Sequence, residues 1–279
     1  MSEKLDGKAL AAKINEETKN IIDQLEDKPT LATIYDPENY GSEMYVKMKH
    51  KKANELGINT LEYPIQSGAD TSEVLEIVRT LNNNPQVDGI LVQSPLPNSV
   101  NETEIFSALK PRKDVDGLNY QNQGRLFENL GDYIEPATPG GIFKLLDEYK
   151  IDLVGKDVVV MGASQLLGRP TALMFLNRGA TVTIVHSKTR KEVLIDLLSK
   201  ADVVSVGIGQ AQFVQAEWLK DGVVIIDAGS DKLDGKTVGD VHPDAYQKSS
   251  YYTPVPGGVG PMTIATLLRH VAETKAKEN

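Results

Sequence analysis

The side chains best suited to acid–base chemistry in this sequence are a tyrosine and a lysine four residues apart. Tyr45 and Lys49 lie on a predicted helix, Ser42–Leu56, so their side chains share one face. A lysine works as a base only when desolvation or nearby cations lower its pKa, and Lys47 and His50 are the neighbours that could supply positive charge. Lys49 also belongs to a basic run, which is more often a solvated face. On the spacing alone, the solvated face is the better interpretation of Lys49.

A glutamine and an aspartate later in the chain extend this set. Gln93 ends the predicted strand Gly89–Gln93, at the carboxyl end where α/β sites are built. An amide can orient a lysine without fixing it as a permanent cation, although a strand-end glutamine can equally bond its own loop. Asp116 offers a carboxylate that can accept paired N–H bonds, whereas Asp114, two residues earlier, is expected to be structural.

A second set of residues suggests a dinucleotide site. The predicted strand Val158–Met161 leads into Gly162, and a glycine turn at a strand end presents backbone N–H groups to a pyrophosphate. Gly168 follows at a spacing that differs from Gly-x-Gly-x-x-Gly, so a purely structural turn is nearly as good an interpretation. The next predicted strand ends in His186-Ser187-Lys188-Thr189-Arg190, without the acid typical of NAD-selective folds.

A loop near the end of the chain, Thr253–Thr263, contains three prolines and three glycines. Proline fixes φ and glycine removes the side chain, so the loop is expected to be a rigid ribbon that can lie against a flat ligand. An irregular connection before the last helix is the simpler alternative.

The elements that must carry these residues alternate between helix and strand. The predicted helices cover residues 8–25, 42–56, 72–81, 102–109, 138–149 and 263–275, and the predicted strands cover 31–35, 60–63, 89–93, 158–161, 181–186, 203–206 and 223–227. Residues 110–138 are expected to be loop-rich. This alternation predicts an α/β fold with mostly parallel sheets.

Composition limits the possible functions. The 279 residues suffice for two domains, and 40% hydrophobic with 25% charged residues is typical of a soluble globular protein. A net charge of −9 argues against nucleic-acid binding, and the absence of cysteine excludes disulfides and thiolate chemistry. The four histidines lack ligand spacing, so no metal site is expected. Neither a secretory signal nor a membrane span is recognisable, which favours a cytoplasmic protein.

Five motifs together resemble one family, the bifunctional methylenetetrahydrofolate dehydrogenase/methenyltetrahydrofolate cyclohydrolases. They are Ser42-x-x-Tyr45-x-x-x-Lys49, Val92-Gln93-Ser94-Pro95-Leu96-Pro97, Lys113-Asp114-Val115-Asp116-Gly117, the run Gly162–Pro170, and the loop Thr253–Thr263. The motifs are long, occur in the family's order and span nearly the whole chain. The Asn122, Gly124, Thr138 and Pro139 positions continue the pattern.

The resemblance implies oxidation of methylenetetrahydrofolate by NADP, with NAD as the alternative, followed by hydrolysis to 10-formyltetrahydrofolate. It implies two β/α domains around a cleft: a folate-binding catalytic domain over 1–138, completed by the helix at 261–279, and a Rossmann-like domain over 139–260. It further implies a homodimer without nucleic-acid or membrane partners. The implied catalytic residues are Lys49, Tyr45, Gln93 and Asp116; the substrate-binding residues are Tyr45, Asp116, Pro256, Gly257 and Gly260; the cofactor-binding residues are Gly162, Ala163, Ser164, Ser187 and Ser230.

The chain departs from the family pattern at three of these places. Ala163 stands where the family usually has an arginine for the 2′-phosphate of NADP, and alanine carries no charge. Ser94 replaces a leucine, and Ser230 replaces an isoleucine. Lys188, Arg190 and Arg169 are candidates to replace the lost charge.

Other functions therefore stay open at the level of sequence. Within the family, the chain could prefer NAD, or combine a weak dehydrogenase with an intact cyclohydrolase. Outside it, the alternatives are another Rossmann oxidoreductase of shikimate-dehydrogenase type and a non-catalytic folate or nucleotide sensor.

Overall fold

Two separate parallel sheets organise the chain, and the computed structural model describes residues 2–277. The chain divides into two compact units. The Lys49 unit consists of Ala12–Ala137 and the described residues from Ile264 onward. The Gly162 unit consists of Thr138–Thr263 and the described residues up to Ala11.

The Lys49 unit contains a three-stranded sheet in the order β3-β2-β4, with both pairs parallel. Its strands are β2 (Thr30–Tyr35), β3 (Asn59–Pro64) and β4 (Gly89–Gln93), and its complete helices are α2 (Tyr40–Leu56), α3 (Thr71–Asn83), α4 (Glu102–Ala108) and α5 (Tyr120–Phe127). Tyr35 and Gln93 are register partners, so β2 and β4 end at the same edge of the sheet.

The Gly162 unit contains a six-stranded parallel sheet in the order β1-β11-β8-β7-β5-β6. Its strands are β1 (Glu3–Lys4), β5 (Asp157–Met161), β6 (Thr181–Val185), β7 (Val203–Val206), β8 (Val224–Asp227) and β11 (Tyr251–Tyr252), and a small hairpin adds β9 (Asp231–Leu233) and β10 (Lys236–Val238). Helices α7 (Gly168–Asn177) and α8 (Lys191–Leu198) connect the central strands, and short 3-10 turns cover Ala216–Trp218 and Pro243–Lys248. The strand order reverses direction at β5, which is where α/β sheets of this kind bind ligands.

Three helices cross from one unit to the other along the chain: α1 (Gly7–Ile22), α6 (Ala137–Glu148) and α9 (Val259–Ala276). The α9 face that belongs to the Lys49 unit is apolar, and Leu267, Leu268 and Val271 join a buried cluster with Leu31 and Val115. The predicted α/β class with a Rossmann-like parallel sheet is confirmed. Across residues 2–277, every helix is too short or too polar to cross a bilayer.

Several boundaries differ from the sequence predictions. Helix α2 begins at Tyr40 and not at Ser42, because the Asn39 side chain accepts from the Ser42 N–H and caps the helix two residues earlier. Helix α9 begins at Val259 and not at Thr263, since a proline is tolerated in the first turn of a helix.

One helix was not predicted, and one segment lies in a different unit. Residues 110–138 are largely loop, as expected, but they also contain α5, which Asn119 caps by accepting from the Gln121 N–H at 2.8 Å. The sequence places the first eleven residues in the domain that carries Lys49. The described residues 2–11 lie instead in the Gly162 unit, where β1 pairs with β11.

Candidate active site

Lys49 and Gln93 form a direct hydrogen bond within the Lys49 unit. Lys49 Nζ donates to Gln93 Oε1 at 2.9 Å, and Gln93 Nε2 donates to the Ser94 carbonyl at 2.9 Å. The second bond fixes which way the amide points, so the oxygen of Gln93 faces the amine. Lys49 is only 8% exposed, although its helix otherwise carries a solvated basic run.

Burial lowers the pKa of Lys49 from its ordinary value, and the negative charge of Asp116 opposes part of that shift. Burial likewise raises the pKa of Asp116 to about 6, while the charge of Lys49 lowers it and that of Asp114 raises it. The two groups thus lie close enough to influence each other. The site holds a lysine biased toward its neutral amine beside a carboxylate that is ionised above about pH 6.

The cations expected to help lower the pKa of Lys49 do not do so. Lys47 is exposed and forms an ion pair with Glu43 at 2.6 Å. His50 is buried, and its Nε2 lies 2.8 Å from Thr33 Oγ1. Desolvation, and not a neighbouring cation, is the physical cause of the shift.

Asp116 lies on a segment that is tied to the sheet and to a helix. The Ile90 N–H of β4 donates to the Lys113 carbonyl at 2.7 Å, so this segment runs beside β4 toward the end that carries Gln93. Asp114 is structural, as predicted: its carboxylate accepts from the Asn119 N–H at 2.7 Å and from Asn122 Nδ2 at 3.0 Å.

Lys113 was not singled out by the sequence, yet it is one of the most buried side chains. Its Nζ donates to the carbonyls of Leu81 at 3.2 Å and Asn84 at 2.7 Å, at the C-terminal end of α3. Burial, helped by the charges of Arg112 and Lys110, lowers the pKa of Lys113 to about 8. Lys113 therefore anchors the Asp116 segment to α3, and its sequence neighbours gave no signal of that burial.

Tyr45 and Ser94 complete the surroundings of the pair. Tyr45 lies one turn before Lys49 on α2 and is 36% exposed, so its ring is accessible at the surface of the unit. The hydroxyl of Ser94 is buried and has no hydrogen-bond partner among residues 2–277. The departure from leucine at this position thus places a polar atom next to Gln93.

In the Gly162 unit, the turn after β5 requires glycine at both of its ends, Gly162 and Gly168. Gly162 has a φ of 112°, and a Cβ there would lie 2.7 Å from the Gly207 carbonyl oxygen. A Cβ on Gly168 would overlap the Gly162 carbonyl oxygen, so α7 begins directly against the turn. Ser164 Oγ accepts from the N–H groups of Leu167 at 3.2 Å and Gly168 at 3.3 Å. Ala163 and Ser164 thus lie between a strand end and a helix N-terminus, where phosphates bind.

The end of β6 lies at the same edge of the sheet, since Met161 and Val185 are register partners. Beyond it, His186–Thr189 form a tight turn in which the Lys188 N–H donates to His186 Nδ1 at 3.1 Å. Ser187, Lys188, Arg190 and Arg169 are all exposed. Among the described residues 186–190 and at Arg169, the polar groups are hydroxyls, cations and an imidazole, without a carboxylate.

Two buried aspartates shape the remaining strand ends. Asp240 accepts from the N–H groups of Ile208, Gly209 and Gln210 at 2.6, 3.1 and 2.8 Å, which fixes the turn after β7. Asp227 ends β8 and accepts from the Gly229 N–H at 2.9 Å, and burial raises its pKa to about 6. Ser230 follows on the surface.

The proline- and glycine-rich loop is fixed by close backbone packing. Thr253 Oγ1 accepts from the Asp227 N–H at 2.7 Å, and the Gly258 N–H donates to the Pro254 carbonyl at 2.7 Å. Gly257 has a φ of 110°, and its carbonyl accepts from the Lys8 N–H at 2.9 Å. Pro256 and Gly257 therefore lie in a rigid ribbon, whereas Gly260 lies in the first turn of α9.

Two sequence models of one family match the chain. The catalytic domain of the tetrahydrofolate dehydrogenase/cyclohydrolases matches residues 5–116, and their NAD(P)-binding domain matches residues 136–279. The chain belongs to the tetrahydrofolate dehydrogenase/cyclohydrolase family. This confirms the resemblance drawn from the five motifs.

Curated relatives and solved structures of this family match over nearly their full length. The chain is 52% identical to the bifunctional protein FolD of Leuconostoc citreum over 97% of this chain and 96% of the relative. The crystal structure of the bifunctional FolD enzyme from Campylobacter jejuni has a TM-score of 0.96 at 42% identity and full coverage of both chains. The Trypanosoma brucei dehydrogenase-cyclohydrolase, solved with NADP and an inhibitor, has a TM-score of 0.94 at 33% identity, with 99% of this chain and 98% of that chain covered.

Within this family's architecture, the residues predicted from sequence fall into two groups. Lys49, Gln93 and Asp116 meet at one end of the three-stranded sheet. Gly162, Ala163, Ser164, Ser187 and Ser230 follow the carboxyl ends of strands in the six-stranded sheet. Gly207, which the motifs did not single out, lies against the Gly162 turn; its place directly after the buried strand Val203–Val206 was the available signal.

Proposed function

We propose that this protein oxidises 5,10-methylenetetrahydrofolate to 5,10-methenyltetrahydrofolate with NADP and then hydrolyses the product to 10-formyltetrahydrofolate. The observation that carries this proposal is the buried Lys49 amine, held by Gln93 at 2.9 Å and close to Asp116. Family membership supplies the substrate class, and these residues supply the groups that hydrolysis needs.

For hydrolysis, Lys49 is the proton carrier. Water adds to the bridging carbon of the methenyl cation and gives up a proton to the neutral Lys49 amine. The resulting ammonium returns a proton to N5 as the bond between N5 and the bridging carbon breaks with its electron pair going to N5. The hydroxyl on that carbon then gives its remaining proton to the regenerated Lys49 amine, which releases it to solvent, and the carbon remains on N10 as the formyl group. Burial of Lys49 favours the neutral amine that begins this cycle, and Gln93 keeps that amine oriented in both charge states.

For binding, we assign the pteridine ring to Asp116 and the aromatic middle of the folate to Tyr45. A carboxylate can accept paired N–H bonds from the 2-amino-pyrimidinone edge of the pteridine. With a pKa of about 6, Asp116 is ionised at neutral pH and able to accept both bonds. Pro256, Gly257 and Gly260 are assigned to backbone contacts with the substrate.

The residues around the Gly162 turn fit NADP. Gly162, Ala163 and Ser164 would hold the pyrophosphate with backbone groups, and Ser187 and Ser230 would contact the nucleotide from neighbouring strand ends. When bound, NADP accepts the hydride that leaves the methylene bridge. Because Ala163 carries no charge, we assign the 2′-phosphate to the cations of the β6 end, Lys188 and Arg190, or to Arg169 of α7.

Ala163 also supports a second candidate within the same family. With the usual arginine absent, the enzyme would prefer NAD, or would combine a weak dehydrogenase with a full cyclohydrolase. Both versions keep the Lys49–Gln93 pair and differ from the first proposal only at the cofactor.

We further propose that the protein is a cytoplasmic homodimer. The six-stranded sheet ends in the edge strand β6, which pairs only with β5 among the described residues. Val154, Leu176 and Ile184 are exposed apolar side chains in the same unit. An open edge and exposed apolar groups are features that a second copy can cover.

The proposal is tested by a steady-state assay that follows methenyl formation and methenyl hydrolysis separately, with either NADP or NAD. Lys49→Met is expected to reduce hydrolysis by about 10²–10⁴-fold, because it removes the proton carrier. Lys47→Met is the matched control: this exposed lysine of the same helix pairs with Glu43, and its loss should change the rate less than about twofold. Equal effects of the two substitutions, or no turnover with either cofactor, would contradict the proposal.

A further inference from the structure

A histidine on the C-terminal helix holds the backbone that carries Asp116. His270 lies on α9 and is only 8% exposed, and its Nδ1 is 2.9 Å from the Val115 carbonyl oxygen. A carbonyl oxygen only accepts hydrogen bonds, so Nδ1 carries the hydrogen and donates it. The accepting oxygen belongs to the peptide bond between Val115 and Asp116, and the ring therefore fixes the plane from which Asp116 projects.

The other side of Asp116 is held by a different element. The Ala137 N–H donates to the carbonyl of Asp116 at 3.3 Å. The side chain of Val115 is fully buried in the cluster that contains Val271, one residue after His270 on α9. The hydrogen bond from His270 thus adds a directional constraint on the peptide between Val115 and Asp116, beside the packing of Val115 and the bond from Ala137.

The surroundings of Nε2, the second ring nitrogen of His270, are compatible with the hydrogen bond from Nδ1 to Val115. His270 Nε2 lies 3.9 Å from the Glu135 carboxylate, so the ring can carry a hydrogen on Nε2 without giving up the one on Nδ1. Nδ1 of His270 can therefore donate to the Val115 carbonyl in both the neutral and the charged form of the ring.

We propose that His270 is a positioning residue for folate recognition: by holding the Val115 carbonyl, it keeps the Asp116 carboxylate aligned with the paired N–H groups of the pteridine. This inference rests on the proposed function, in which Asp116 binds that ring. Two parallel hydrogen bonds need the carboxylate within about 0.5 Å and 10–20° of the productive geometry. Lys49 and Gln93 are held by each other and not by His270, so binding should weaken more than turnover at saturation.

The decisive comparison is between His270→Asn, His270→Phe and His270→Gln. The asparagine Nδ2 is attached to Cγ just as the histidine Nδ1 is, so His270→Asn keeps a donor in the same place. Phenylalanine keeps a ring without a donor, and glutamine moves its amide one carbon further out. The matched control is Thr274→Val, one turn later on α9, which removes a hydrogen bond of 3.3 Å to the Arg112 carbonyl of the same segment.

The readouts are calorimetric binding of 5-formyltetrahydrofolate, a stable reduced folate, and the KM and kcat of methenyl hydrolysis. We expect His270→Phe and His270→Gln to weaken binding and raise KM by about three- to tenfold, the value of one hydrogen bond, with kcat changed less than about twofold. His270→Asn and Thr274→Val should stay within about twofold of the unaltered protein. Thermal unfolding of each variant reports on folding, and His270→Gln decides the matter if His270→Phe does not fold.

Binding by His270→Phe or His270→Gln equal to that of the unaltered protein would overturn the inference. Equal weakening by His270→Asn, or by Thr274→Val, would overturn it too, because the effect would then not depend on the Nδ1 donor. Absence of turnover in the unaltered protein would count against the proposed function, while the order of the folate affinities would still decide the role of His270. Absence of any folate binding would overturn both.

Discussion

Replacing Gln93 by glutamate should favour the charged form of Lys49 and slow hydrolysis at neutral pH. The Lys49 Nζ lies 2.9 Å from the oxygen that would become part of a carboxylate. Burial now lowers the pKa of Lys49, and a carboxylate at that distance would raise it. The proposed cycle begins with neutral Lys49, so its rate should fall with the neutral fraction.

The size of the effect follows from the distance. Two unit charges at 2.9 Å interact by about 6 kcal/mol at an effective dielectric constant of about 20. Desolvation of the new carboxylate offsets a large part of this, and we take about 1.5–3 kcal/mol as the net stabilisation of the ammonium form. That corresponds to a loss of about ten- to 150-fold in hydrolysis at neutral pH, with recovery as the pH rises.

The assay is a pH–rate profile of methenyl hydrolysis for the unaltered protein, Gln93→Glu and Gln93→Met. The methionine variant removes the hydrogen bond without adding charge, so its profile should lose amplitude without moving to higher pH. The reasoning is refuted if the Gln93→Glu profile lies at the same pH as that of the unaltered protein, since the charge of Lys49 would then not limit the reaction.

Three further results are expected. Ala163→Arg should raise the ratio of NADP affinity to NAD affinity by about ten- to a hundredfold, the value of one or two charge-assisted hydrogen bonds. An unchanged ratio in a direct binding titration would mean that position 163 does not face the phosphate. Asp116→Asn should weaken folate binding yet stabilise the protein at pH 8 by up to about 3 kcal/mol, because the pKa of Asp116 in the folded protein, about 6, exceeds the ordinary value of 3.8. The ionised carboxylate therefore costs stability as the pH rises through about 6. Denaturant unfolding should show a higher free energy of unfolding for the variant at pH 8, and this difference should vanish near pH 3. Gly168→Ala should destabilise the protein by about 1–3 kcal/mol and weaken NADP binding, since its Cβ would overlap the Gly162 carbonyl oxygen. Gly124→Ala is the control: the space around its Cβ is open, so cofactor affinity should stay unchanged. Equal cofactor affinities of the two variants would argue against the packed turn as the binding site.

The sequence could predict those parts of the site that depend on residue spacing within a single helix or strand. Tyr45 and Lys49 share a helix face because of their spacing, and Gln93 ends a strand because Pro95 stops it. The desolvation of Lys49 was not predictable, because it depends on which of several neighbouring lysines faces the sheet. Exposed Lys47 and buried Lys49 look alike in the sequence.

The errors in the fold have a similar origin. Helix α5 begins at an asparagine cap, which residue spacing in a polar segment did not reveal. The pairing of β1 with β11 joins residues from opposite ends of the chain, and two-residue strands carry no periodicity. His270 was one of four scattered histidines in the sequence, and only the approach of α9 to Val115 distinguishes it.

The contribution of α9 to the core of the Lys49 unit has a consequence for how the protein is made. Leu267, Leu268 and Val271 are translated after the entire six-stranded sheet, yet they pack against Leu31, which leaves the ribosome early. The apolar surface of the Lys49 unit therefore stays uncovered until α9 has been translated. A chain released early, before α9, would retain the strands of the Gly162 unit but leave the Asp116 segment without its helix. We therefore expect folate turnover only from chains that include α9. Chains that end before α9 should be cleaved more readily by proteases.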